Sequence, residues 1–151
     1  VKFLYLEPCK GLNDFAMKMF TWDEKYSVEI VSIDNEHQVL FDLINKLYEA
    51  MSQGKARDVM SGIIEELYEY TKTHFRREEF YFKSISYPES DEHKAQHDAF
   101  VQKINHYKQL IKEGDTSFSV EVLTFLRDWL IKHIQGTDKK YVPYFKKYGI
   151  R

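Results

Sequence analysis

Apolar residues recur along this chain at helical rather than alternating spacing. Leu40, Phe41, Ile44, Leu47, Tyr48 and Met51 fall three or four positions apart, which predicts a helix with one buried face over 34–51. Met60, Ile63, Ile64, Leu67 and Tyr70 repeat the rhythm and predict a helix over 56–83. Phe100, Val101, Ile104, Tyr107 and Ile111 predict a third over 90–112, and Val122, Leu126, Trp129 and Leu130 a fourth over 119–135. A short helical tail is expected over 140–148. Asp34, at the head of the first stripe, is the expected N-cap, because a short carboxylate can accept from the unpaired amides of a first turn.

The breaks between the stripes are short. Ser52-Gln53-Gly54 ends the first, Tyr87-Pro88 separates the second from the third, and Glu113-Gly114-Asp115 ends the third. Short connections make consecutive helices antiparallel neighbours. The expected fold is all-α, an up-down-up-down antiparallel four-helix bundle. Phe20-Thr21-Trp22 and 28–33 read as an extended N-terminal arm lying on it. Residues 1–19 are an unassigned extension, and 20–151 form the domain.

Composition adds exclusions. Aromatics make up 16% of the chain and prolines number three, which suits long helices around an aromatic core better than a turn-rich sandwich. The net charge of -2 is spread without a basic stripe, so nucleic acid is not an expected partner. No apolar run is long enough to cross a bilayer. Glu7, Pro8 and Lys10 interrupt any secretory signal. The single cysteine, Cys9, cannot form an internal disulfide, which fits a reducing, cytoplasmic setting. The chain begins with Val1 rather than methionine, which leaves open a fragment of a longer protein.

Six histidines change the picture most. His37 begins the stripe of the first helix. His74 continues that of the second, with Glu78 four residues on and therefore on the same face. His93 and His97 lead into Phe100, and His133 extends the stripe of the fourth helix. His106 follows His97 by nine residues, which at about 100° per residue turns it toward solvent. A single inward histidine is ordinarily a core residue satisfied by a neighbour. Five of them with a carboxylate would require a large, fully satisfied polar network, which a metal centre supplies more simply. The topology agrees independently: the start of helix one, the end of two, the start of three and the end of four share one end of such a bundle.

Asp138 follows His133 by five residues, the wrong step for one helical face. Gly136 between them permits the helix to loosen so that Asp138 reaches the same centre; a surface residue after a helix stop is the equal alternative. Seven nitrogen and oxygen ligands without cysteine are too many for one zinc, whereas imidazole with carboxylate suits iron. Two octahedral ions offer about twelve positions, and five imidazoles, two bridging carboxylates and one bridging oxygen leave one open. None of the histidines has a Glu three residues before it, which argues against a carboxylate-rich ferritin-like oxidase.

With these residues assembled, the chain resembles the hemerythrin family, its bacterial members in particular. The resemblance rests on Phe-Thr-Trp at 20–22, Ile-Asp-Asn-Glu-His at 33–37, His-Phe-Arg-Arg-Glu-Glu at 74–79, His-Lys-Ala-Gln-His at 93–97 and Trp-Leu-Ile-Lys-His-Ile-Gln-Gly-Thr-Asp at 129–138. It covers about 20–148. It implies two iron ions (Fe2+/Fe3+) with a bridging oxo or hydroxo group. His93, His97 and His133 would hold one; His37 and His74 would hold the other and leave its sixth position open; Glu78 and Asp138 would bridge. Leu40, Phe75 and Leu130 would wall the open site. The implied activity is reversible binding of dioxygen for storage, delivery or supply, not enzymatic turnover. An oxygen- or redox-sensing input domain is the second reading, a peroxidase-like or nitric-oxide-handling di-iron enzyme the third, and iron storage a fourth that needs a cage-forming assembly. The family often has glycine where Glu29 stands, a departure that touches the arm and no ligand.

Overall fold

The computed structural model describes residues 18–151. The rest of the expected extension, with Cys9, lies outside the described residues. Four long helices form the bundle: α1 (Val31–Ser52), α2 (Ala56–Ile85), α3 (Ser90–Lys112) and α4 (Ser119–Trp129). A short last helix, α5 (Val142–Lys147), carries Pro143 in its first turn, where a missing N–H does no harm. α1 packs against α2 and α4, and α2 against α3. Phe100, Phe125 and Trp129 bridge α3 and α4, with ring centroids 4.6–4.9 Å apart.

The bounds of α3 agree with the pattern, since Pro88 and Gly114 punctuate it on both sides. Three expectations need correction. Asp34 is not the N-cap of α1; Ile30 holds that position in extended conformation. Asp34 sits in the first turn and reaches back, accepting from the Val28 amide at 2.7 Å and the Ser27 hydroxyl at 2.6 Å. Residues 31–33, expected to be extended, are therefore already helical. The fourth helix does not run as α to 135. It passes at Leu130 into a π-helix (Leu130–Thr137), then a 3-10 turn (Asp138–Tyr141), before α5.

The arm lies where expected. Phe20, Trp22 and Tyr26 surround Phe41, the Tyr26 ring edge-on at 4.8 Å. Asn45 pins Phe20 through both its amide and its carbonyl. Asp23 caps the 3-10 turn Glu24–Tyr26 by accepting from Lys25 N–H. Two apolar clusters result. The larger includes Leu40, Ile44, Leu67, Phe75, Phe100, Ile104, Leu126 and Leu130. The smaller joins Val28, Ile30 and Ile33 to Phe82, Ile85, Tyr87, Tyr141 and Phe145. No helix among the described residues is long and apolar enough to cross a membrane.

Candidate metal centre

Between the two clusters lies a polar core. α1 supplies His37, α2 His74 and Glu78, α3 His93 and His97, the π-helix His133, and the 3-10 turn Asp138. Every one of these side chains is buried, none more than 2% exposed. His106 stands in solvent, as its spacing requires. The π-helix explains the five-residue step: its hydrogen bonds reach one residue further than those of an α-helix, so residues five apart share a face.

The ligand atoms fall into two sets, each within 4.8 Å: Glu78 with His93, His97 and His133, and Glu78 with His37, His74 and Asp138. Glu78 belongs to both. Its Oε2 lies 3.1 Å from His97 Nε2 and 3.7 Å from the Nε2 atoms of His74 and His93. Asp138 also spans the sets, with Oδ1 at 3.1 Å from His93 and His133 and Oδ2 at 3.3 Å from His37. Yet all five Nε2 atoms, Glu78 Oε2 and both Asp138 oxygens lack a hydrogen-bond partner. Unpaired buried polar atoms are rare and costly. Here they converge, and neutral imidazole with carboxylate is the donor set of a first-row metal. The residues fit a pair of ions.

Three of the outer nitrogens are braced, while those of His37 and His93 are buried without a partner. His74 Nδ1 is 3.1 Å from Glu36, His97 Nδ1 3.0 Å from Glu79, and His133 Nδ1 2.8 Å from Gln96. An Nδ1–H donating outward leaves the Nε2 lone pair facing the centre. Each brace comes from the preceding helix: α1 holds the histidine of α2, α2 that of α3, and α3 that of the π-helix. Arg77 in turn donates to Glu36 at 2.8 Å. Tyr141 donates its hydroxyl to Glu78 Oε1 at 2.6 Å, fixing the carboxylate that both sets share. The sequence reading missed all of these braces. Their signal was adjacency: Glu36, Glu79 and Gln96 each neighbour a ligand in sequence, but serve a ligand on another helix.

The electrostatics follow from that packing. Burial and the nearby Asp138 push the Glu78 carboxyl up, but His74, His93 and His97 outweigh them and hold it well below the usual carboxylate range. Asp138 is held low in the same way, burial being overcome by His133, His37 and His93. Burial works against a charge on His93, yet Asp138 and Glu78 raise it to about 9. His97 is likewise raised against burial by Glu78 and Glu79, whereas burial dominates at His133 and lowers it.

Leu40, Phe75 and Leu130 are all buried in the larger apolar cluster, and Phe75 stacks on His97 at 3.9 Å. Trp129 stacks on His133 at 3.8 Å.

Residues 28–145 match the family model "Hemerythrin HHE cation binding domain". A bacteriohemerythrin of Clostridium acetobutylicum is 37% identical over 82% of this chain and 99% of its own length. One of Methylococcus capsulatus is 29% identical over 84% of this chain and 97% of its own. The crystal structure of a wild-type hemerythrin superposes with a TM-score of 0.74 at 28% identity, covering 83% of this chain and 96% of that one. The spacing, the bundle and these relatives agree, and the chain belongs to the hemerythrin family.

Proposed function

We propose that this protein binds dioxygen reversibly at two iron ions. His93, His97 and His133 hold one, His37 and His74 the other, and Glu78 and Asp138 bridge them. The observation that carries this reading is the convergence of five partnerless Nε2 atoms on two carboxylates that each touch both sides. Three histidines serve one side and two the other, so the His37–His74 side is the one short of a ligand and open to a small molecule. The iron pair supplies the electrons for reversible oxygen uptake. The chain supplies orientation and dryness. Glu36, Glu79 and Gln96 fix the ring planes of three ligands. Leu40, Phe75 and Leu130 keep water and stray protons from the open side.

Binding rather than turnover is favoured because every buried carboxylate and imidazole among the described residues belongs to the ligand set. None remains as a general acid or base. Residues 20–151 constitute the binding unit in this reading.

The test is an optical spectrum of protein loaded with ferrous iron without air, exposed to oxygen, then returned to argon. Charge-transfer bands should rise and fall with oxygen, at two irons per chain. A colourless protein retaining one zinc would sink the reading. His74→Ala should lose the iron of the open side, while His106→Ala, altering an exposed ring, should leave iron content unchanged.

A further inference from the structure

A groove of about 390 Å³ between α1 and α2 is lined by Tyr70 and His74 together with Glu36, Glu65, Glu66 and Glu69. Tyr70 is 6% exposed, and its hydroxyl is buried without a hydrogen-bond partner. A phenol placed in that way is poorly accounted for by the chain alone, since buried hydroxyls are nearly always paired. Its ring is firmly held. It stacks on His74 at 4.8 Å with 23° between planes, and meets Phe75 edge-on at 6.0 Å. One helical turn before His74, it lies on the same inward face as the ligand pair His74 and Glu78. His74 belongs to the two-histidine side, and Phe75 lies between it, at 5.6 Å, and His97, on which it stacks. Trp129 Nε1, also unpaired, belongs to a ring stacked on His133, on the three-histidine side. The other wall residues, Leu40, Phe75 and Leu130, offer only carbon.

We propose that the Tyr70 hydroxyl is the hydrogen-bond donor to the small ligand taken up beside His37 and His74, and so sets which ligands are retained there. This rests on the two-ion reading above. A donor in an otherwise apolar wall favours ligands that carry negative charge on the atoms they present. It disfavours equally small ligands that cannot accept.

The test compares wild type with Tyr70→Phe, using azide as the probe. Both are loaded with iron, oxidised in air and titrated to equilibrium, and the metal-free forms are melted in parallel. Iron content and metal-free melting should be unchanged, because the lost hydroxyl pairs with nothing in the chain. The azide dissociation constant should rise about tenfold or more, the effect of losing one hydrogen bond to a charged acceptor. An azide affinity within about twofold of wild type, or a fall in affinity that tracks lost iron, overturns the assignment. Failure of the oxygen-dependent colour change in the wild type counts against oxygen binding alone, and the azide titration still decides Tyr70. A wild type that takes up no iron overturns both.

Discussion

Single residues carry the fold's local compromises. Glu29 has a positive φ of 63°, a left-handed conformation that costs an L-residue roughly 1 kcal/mol. Its carboxylate pairs with Lys146, but both side chains are more than half exposed and the pair contributes little. Glu29→Gly should therefore stabilise the metal-free protein by about 0.5–1 kcal/mol, read from a denaturant midpoint; a lower midpoint would mean that the ion pair outweighs the strain. Asp34 shows why some residues were illegible. Its type announced a helix start, but the same carboxylate can accept from the chain before a helix as readily as from the turn after it. Only tertiary placement decides. The five inward histidines were legible because each extends an apolar stripe. Their braces were not, because each reaches across to another helix.

At the scale of elements, the departure is the π-helix. Periodicity located His133, and it could not locate Asp138, because a regular α-helix turns a residue five positions on away from the first. Gly136 does not owe its place to crowding: a Cβ there would meet only the Ile131 carbonyl, at 3.9 Å. Register is what the segment protects. Inserting one alanine after Gly136 would lengthen the His133-to-Asp138 step to six, which shares a face in neither an α-helix nor a π-helix. The insertion should leave helical content intact by circular dichroism while bound iron falls below two per chain, whereas Gly136→Ala should retain both ions. Full iron in the insertion variant would show that Asp138 is dispensable. The α3 boundaries were legible for the opposite reason, since Pro88 and Gly114 act locally and no distant contact can move them.

Across the whole molecule, a charged centre divides the apolar interior in two. Phe75 of the larger cluster covers His97, and Phe82 and Tyr141 of the smaller one cover His93. In the metal-free protein, protons compensate that centre. His93, raised to about 9, stabilises the fold fully below its unfolded value near 6.5, and this contribution is lost as pH climbs through about 9. Metal binding has the opposite sign, because the imidazole must shed its proton to become a ligand. Metal uptake at about pH 7.5 should release at least one proton per chain, detectable with an indicator dye in weakly buffered solution, and affinity should rise across that range. Uptake without proton release would mean that His93 is neutral in the metal-free state.

The smaller cluster also sets how the molecule yields to force. Phe145 of α5 is packed beside Val28 and Ile30, Lys139 donates to the Ser27 carbonyl, and Tyr141 holds Glu78. Tension applied at Arg151 therefore loads these fastenings in chain order: α5 peels first, Tyr141 follows, and Asp138 is drawn away before any of the four long helices is disturbed. Asp138, a bridge in the proposed pair, is then the first of the seven candidate ligands to be pulled out.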